Sequence, residues 1–423
     1  MNAKILWQLQ LSCYDALGKF TFTADSNWQI FITKARELFK LNPNLEIDVL
    51  VPQRHAWGED VRDLLGASLP GAKVTEIQIP IQANAIATRY DFPMVEISNC
   101  IAFCRSFSEY THVYINDPML MRHYKTMFML KKLDKHPMFI LQTHFLDSPV
   151  DQVVPEHFSY WHGTVEGVSK ADVALWHCDS MLEVFKKALS MDYTQKVSDA
   201  ILEKCAVWKD GYSISEIREP VNHSNVRFNL ETLKGKTVIW VPNRVGGLGM
   251  SFDYTNNGAF LFEKIPQLWQ QQRQDFVVIA GNPNQKIPND MIAEKCPAYV
   301  KLVPNAFNRD EYRLLSQRAD IVVGLYTNDT NGGLASLEAI EFGAVPLFPD
   351  IFEYKRYFDA VNWPRDRRVS QDLNNLNDIL SKLIDDVRAG RLLEKTNQLR
   401  EYIRHSAAYE HTTANFATAF GLL

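Results

Sequence analysis

The sequence predicts an α/β fold made of two doubly wound, parallel-sheet domains. Three observations carry this expectation. Apolar runs of strand length alternate with segments of helical periodicity along most of the chain. The alternation comes in two blocks, parted by a polar, irregular stretch at about residues 210–234. The chain has 423 residues, 46% hydrophobic and 12% aromatic, which is enough apolar surface for two cores. Alternation of this kind points to a mostly parallel sheet covered on both faces.

In the first block, KILWQLQL reads as a buried strand and NWQIFITKARELFK as a helix. EIDVLVP is a strand. THVYIND, MLMRHYKTMFMLKKLDKH and PMFILQTHF repeat strand, helix, strand, and ADVALWHCDS precedes MLEVFKKAL in the same way. In the second block, KTVIWVPN, DFVVIAGNP, YVKLVP, DIVVGLYT and AVPLFPD read as strands. The helices between them are residues 259–270, DEYRLLSQRA and LASLEAIEFG. The last stretch, from LLEKTNQLREYIRHS to the end, reads as helix with at least one break. The expected division is 1–225, 226–400 and a terminal helix at 401–423 that returns to the first domain.

Composition excludes several classes. A net charge of −5 argues against a globally basic nucleic-acid binder, though a local patch needs less. The six cysteines form no CxxC pair and fit neither a zinc site nor a disulfide scaffold. No run of about 18 apolar residues suggests a membrane span. The opening MNAKILWQLQL is too soon interrupted for a signal peptide, so a cytoplasmic protein is expected, or one of a host cytoplasm if viral. No DxD stands between strands to chelate a metal, and Asp385-Asp386 falls in a predicted helix, where it reads as a solvated face.

The chemistry concentrates in DIVVGLYTNDTNGGLASLEAIEFGAVPLFPD, residues 320–350. A strand runs into a polar turn holding Asn328, Asp329, Thr330, Asn331, Gly332 and Gly333, and a helix follows with Glu338 on its second turn. Glycines at a helix N-terminus let backbone N–H groups approach a phosphate, and the helix dipole favours negative charge there. The plain alternative is a tight strand-to-helix turn that needs glycine for positive φ.

This segment resembles the donor-binding motif of retaining GT-B glycosyltransferases, family 4 and its relatives. Gly333-Leu334, Glu338-Ala339 and the stretch Gly343-Ala344-Val345-Pro346 fall in register with that motif. The resemblance implies two Rossmann-like domains facing a central cleft, the GT-B arrangement. It implies that Glu338 binds the ribose hydroxyls of a nucleotide-sugar. The amides of Thr330, Asn331, Gly332, Gly333 and Leu334 would meet the diphosphate and sugar. The motif's first Glu falls at Thr330, with Asp329 beside it, so the donor sugar is left open, a pentose included.

VIWVPNRVGGLG is similar to the family's first strand and loop of the second domain, which makes Arg244 the diphosphate ligand. A guanidinium suits that role through charge-assisted, bidentate bonds to a leaving group. The family's following Lys is missing, and backbone amides at Gly246 and Gly247 could form an anion nest instead. PMFILQTHFLDSP resembles the family's strand followed by His, which places His144 against the sugar with Asp147 three residues on. ADVALWHCDS matches a family strand ending in Ser, here Ser180. The resemblance covers most of residues 95–423 and is weak before residue 95.

The activity implied is transfer of a hexose or pentose from a UDP- or GDP-sugar to an acceptor hydroxyl, with retention, without a metal and with no cofactor. An inverting route would use His144 or Asp147 as base. The acceptor, a glycan or DNA, is read less directly. Arg122, Lys125, Lys131 and Lys132 form a basic segment interleaved with Met121, Tyr124, Met127, Phe128 and Met129. It reads as an amphipathic helix with a solvated basic face, or as a surface for an anionic acceptor. DNA bearing hydroxymethylated pyrimidines, as in phage enzymes, is one such acceptor. An anionic membrane carrying a lipid acceptor fits less well, given the acidic balance. A GT-B binding subunit that has lost catalysis is a further alternative, and an epimerase or phosphorylase would share the fold. Oligomeric state is left open.

Overall fold

Two all-parallel sheets organise the chain. The computed structural model describes residues 3–9, 26–53, 61–80, 109–130, 136–143, 161–227, 233–242, 260–270, 275–282, 300–304, 307–325 and 333–423. These residues divide into two units, one built on Gly18–Asp210 with Tyr409–Leu423, the other on Gly211–Ala408.

In the first unit the elements run β1 (Lys4–Gln8), α1 (Ser26–Leu41), β2 (Glu46–Gln53), α2 (Val61–Ser68), β3 (Lys73–Pro80) and β4 (His112–Ile115). They continue with α3 (Pro118–Leu130), β5 (Met138–Thr143), α4 (Trp161–Lys170), β6 (Val173–Trp176), α5 (Asp179–Asp192), α6 (Gln195–Leu202) and β7 (Cys205–Val207). The seven strands lie in the order β3-β2-β1-β4-β5-β6-β7. Ile5 of β1 pairs with Ile47 on one side and His112 on the other, so the order reverses between β1 and β4.

Side chains alternate between the faces of each strand. Trp7, Tyr114, Ile140, Leu175 and Trp208 face one layer with Phe31 and Phe416. Leu6, Val113, Phe139, Leu141 and Trp176 face the other, with Met121, Phe128 and Phe185. Ser180, expected at a strand's end, instead lies in the first turn of α5, because β6 stops at Trp176.

The second unit carries α7 (Ile214–Ile217), β8 (Thr237–Val241), a π-helical turn at Phe260–Lys264, α8 (Ile265–Gln270), β9 (Phe276–Asn282) and β10 (Val300–Pro304). Then come α9 (Arg309–Arg318), β11 (Ile321–Val323), α10 (Leu334–Glu341), β12 (Val345–Leu347), α11 (Phe352–Ala360), α12 (Leu376–Arg388) and α13 (Leu393–Ala407). Its sheet order is β10-β9-β8-β11-β12, so the reversal falls between β8 and β11. The final helix, α14 (Tyr409–Ala419), belongs to the first unit. There Phe416 stacks on Trp208 at 3.7 Å between centroids, and the Asn42 amide donates to the Leu422 carbonyl at 2.6 Å.

Three expectations shift in detail. The division falls at Asp210/Gly211 and Ala408/Tyr409 rather than after residues 225 and 400. The polar stretch that resembles a linker is consumed by the second unit: Arg218 donates to Glu341, and Arg227 holds Glu311 through both Nε and Nη2. Asp385 is exposed on α12 as expected, but Asp386 is buried and takes Arg367 Nε at 2.5 Å and Arg391 Nε at 2.6 Å.

Asp210, where the chain leaves the first unit, is anchored by charge. Lys34 of α1 is fully buried, with Nζ 2.6 Å from Asp210 Oδ1 and 3.2 Å from Gln142 Oε1. It also lies 4.0 Å over the Trp208 ring. The other Asp210 oxygen meets His177 Nδ1 at 2.7 Å. Burial lowers the Lys34 pKa, and Asp210 restores only part of it. Removing one partner of such a pair strands a charge in the interior. Asp210→Ala should therefore cost about 3–5 kcal/mol in chemical denaturation, whereas pairing it with Lys34→Met should recover most of the loss. A single variant as stable as the parent would show that the pair is not what fixes this residue.

Candidate functional site

In open parallel sheets, ligands bind outside the carboxyl ends of the strands at the point where strand order reverses. In the second unit that point lies between β8 and β11, and α10 is the helix that follows β11. Two glycines bracket the connection from β11 to α10. A Cβ on Gly324 would stand 2.7 Å from the Tyr354 hydroxyl and 2.9 Å from the Phe348 ring. Gly333 has φ +59, a left-handed conformation, and a Cβ there would also strike the Tyr354 hydroxyl. Tyr354 and Phe348 pack together with centroids 4.2 Å apart, and the Tyr354 hydroxyl lies against both glycines. At the helix's far end Gly343, with φ +98, lets the chain turn into β12.

Gly333 is the N-cap of α10, with no side-chain cap and no acidic residue in the first turn. Neither the N-cap residue nor an acidic side chain of the first turn thus answers the first amides of the helix or the positive end of its dipole. Ser336 N donates to Gly333 O at 2.8 Å, while Ser336 Oγ is buried without a hydrogen-bond partner.

Glu338 follows on the second turn, its side chain only 13% exposed, so it is not a solvated surface carboxylate. Arg309, the first residue of α9, approaches it with Nη1 3.6 Å from Oε2. Arg309 Nη2 donates to Glu216 Oε1 of α7 at 2.7 Å. The start of α9 is fixed by a capping box between Asn308 and Glu311, which sets where Arg309 projects. Burial raises the Glu338 pKa, Arg309 works against that rise, and Glu216 adds to it. Burial also disfavours the Arg309 charge, but Glu338 and Glu216 outweigh it and hold its pKa above the usual arginine value.

Of the residues singled out in the sequence, the structure places Glu338, Gly333 and the backbone of Leu334 together at the start of α10. Thr330, Asn331, Gly332, Arg244, Gly246, Gly247, His144, Asp147, Lys131 and Lys132 lie outside the described residues. Arg122 and Lys125 lie on α3, where Arg122 pairs with Glu166 at 3.0 Å and Lys125 with Asp172 at 2.8 Å. Met121, Tyr124 and Phe128 face the core. The described part of this helix is thus amphipathic, with two of its bases compensated by acids. Sequence reading missed Arg309, Glu216 and Ser336; the Asn308-x-x-Glu311 capping signature would have located the start of α9, though not the partner of its first residue.

Among the described residues no group of three His, Cys, Asp or Glu side chains is placed to hold a metal ion, and no helix is long and apolar enough to cross a membrane.

No protein-family model matches the sequence, and no curated protein matches it. Solved structures do match over the whole chain. HepE from Anabaena, in complex with UDP and glucose, aligns with a TM-score of 0.66 at 11% identity, covering 100% of both chains. Sucrose-phosphate synthase from Thermosynechococcus elongatus aligns at 0.65 and 11%, covering 99% of this chain and 98% of that one. A UDP-forming trehalose-phosphate synthase from Burkholderia xenovorans, in complex with glucose-6-phosphate, aligns at 0.64 and 12%, covering 99% and 100%. At such identities the likeness establishes the fold: two parallel-sheet, Rossmann-like domains of the GT-B type.

A carboxyl with a raised folded-state pKa binds its proton earlier in the folded chain than in the unfolded one. Its charge therefore subtracts stability above the unfolded value, and the loss is relieved as pH falls through the raised one. Arg309 does not titrate in that range, so the sign is set by Glu338. Glu338→Gln should leave the thermal midpoint at neutral pH equal to or above that of the parent. A drop of several degrees in calorimetry would mean that the Arg309 attraction dominates instead.

Proposed function

We propose that the chain is a glycosyltransferase that moves a sugar from a nucleoside-diphosphate donor to an acceptor hydroxyl. The observation that carries this reading is the start of α10. A buried carboxylate oxygen with no hydrogen bond stands on the second turn of a helix whose first amides have no side-chain cap, beside the strand-order reversal. The carboxylate is suited to accept from ribose hydroxyls, and the uncapped amides to face the diphosphate. The fold supports the reading: HepE has been captured with UDP and with UDP-glucose, and this chain shares its architecture.

In this reading Arg244, with the amides of Gly246 and Gly247, neutralises the leaving diphosphate, and residues 330–334 supply the remaining amides. Thr330, where the family carries an acid, contacts the transferred sugar. His144 is the residue of the first domain proposed to touch that sugar, with Asp147 three residues on in the sequence. The acceptor attacks from the face the nucleotide leaves, the departing phosphate oxygen takes the proton, and configuration is retained. The protein contributes position and fixed charge rather than a covalent step. A glycan acceptor is favoured over DNA, because Arg122 and Lys125 are engaged by Glu166 and Asp172.

The test is a thermal-shift series with UDP, GDP and ADP, followed by mass spectrometry of products from the matching nucleotide-sugar. A ligand at about a hundred times its Kd should stabilise the chain by about 2.7 kcal/mol. Glu338→Gln should weaken that ligand at least about tenfold, since a hydrogen bond to a charged group contributes about 1.5–3 kcal/mol. Binding by none of the three nucleotides, or an affinity untouched by Glu338→Gln, would remove the basis for the reading. Tight binding with neither transfer nor hydrolysis would instead identify a non-catalytic binding subunit.

A further inference from the structure

Helix α10 carries two glutamates inside the second unit, and they are treated differently. Glu341 is fully buried and saturated: Arg404 donates through Nε at 3.1 Å and Nη2 at 2.6 Å, Arg218 at 2.8 Å and the Tyr212 hydroxyl at 3.0 Å. Glu338, one turn earlier, has its own arginine but no such closure. Arg309 Nη1 stops at 3.6 Å, beyond hydrogen-bond reach, and Glu338 Oε2 has no hydrogen-bond partner. What holds Arg309 back is on the other side of its guanidinium, where Nη2 is committed to Glu216 at 2.7 Å. Arg309 Nε is buried and likewise makes no hydrogen bond. A pair serving stability alone at this depth is expected to close, as Arg404 closes on Glu341, because an unmet buried acceptor is costly.

We propose that Arg309 is a positioning residue for nucleotide binding: tethered by Glu216, it keeps the Glu338 carboxylate aimed and unfilled, so that a hydroxyl of the ligand rather than the protein satisfies it. This rests on the reading of Glu338 as the ribose acceptor. The same arrangement favours a ribonucleotide, since a 2′-deoxy ligand brings one hydroxyl fewer to the carboxylate. The charged groups facing Glu338 are Arg309 and Arg313 from α9 and Glu216 from α7. Burial and Glu216 push the carboxyl toward its neutral form, and the two arginines oppose this. Without Arg309 the balance shifts to the neutral acid. That form has lost charge-assisted acceptance and presents a proton of its own.

The experiment measures affinity for UDP and for 2′-deoxy-UDP from about pH 5.5 to 8.5, by calorimetry on the full chain, a window in which a buried carboxyl with a raised pKa can change charge. The parent should prefer UDP about tenfold at the alkaline end of this range. Arg309→Met should lose the preference at a higher pH than the parent does, whereas Arg309→Lys should follow the profile of the parent. Arg309→Gln provides the same reading should the Met variant fail to fold. If Arg309→Met and Arg309→Gln follow the profile of the parent at every pH, the inference is overturned while the donor-site reading survives. If the parent shows no preference, or Glu338→Gln retains it, the ribose reading itself falls and takes this inference with it. A purely structural Arg309 would lower the melting temperature without shifting the pH profile.

Discussion

A carboxylate can stay charged inside a protein only if something nearby offsets the water it has lost. At Glu338 that offset is the Arg309 guanidinium at 3.6 Å, and the beginning of the second unit is arranged to place it there. The capping box at Asn308 fixes the first turn of α9. Arg227 holds Glu311, the other half of that box, through Nε at 2.8 Å and through Nη2. Glu216 then restrains the guanidinium from α7. The chain between Gly211 and Arg227 is polar because it supplies these restraints, which is also why it folds with the second unit.

Parallel pairing explains where this carboxylate lies in the second unit. Every strand in the second sheet runs the same way, so each connection must leave from the carboxyl edge and return to the opposite one. The strand order reverses between β8 and β11, the kind of position at which open parallel sheets bind ligands. The Tyr354 hydroxyl leaves no room for a Cβ at Gly324 or at Gly333, and Phe348 crowds Gly324 as well. Close approach of backbone amides is what an anionic ligand needs.

The sequence made the two sheets and the second-unit motif legible because both depend on local pattern. Continuous apolar runs such as TVIWV and FVVIAGN reveal buried strands, and the spacing from Gly333 to Glu338 survives as spacing on a helix. Features set by tertiary contact were not visible. Edge strand β3 carries Lys73 and Glu76, and β7 is only three half-exposed residues, so neither shows a strong apolar run. Helix α4, WHGTVEGVSK, holds two glycines and lacks a strong helical signal. Asp386 looked solvated because its partners, Arg367 and Arg391, lie outside α12. Arg309 is invisible for the same reason: its partners Glu216 and Glu338 are distant in sequence and meet it only in the fold.

The two units use buried charge to opposite ends, and the contrast follows from how fully each charge is answered. In the first, Lys34 has Asp210 at 2.6 Å, Gln142 at 3.2 Å and an indole face at 4.0 Å, while Asp210 also meets His177. Such a network has little left to offer a ligand, and it fixes the final residue before the chain leaves the unit. In the second, Glu338 retains an unanswered oxygen beside a cation that is held off. Burial makes an unmet acceptor of this kind expensive to the fold. Depth alone therefore does not describe how a carboxylate is held in this chain: Asp210 and Glu338 are both withdrawn from solvent, yet they differ in how many partners their oxygens have.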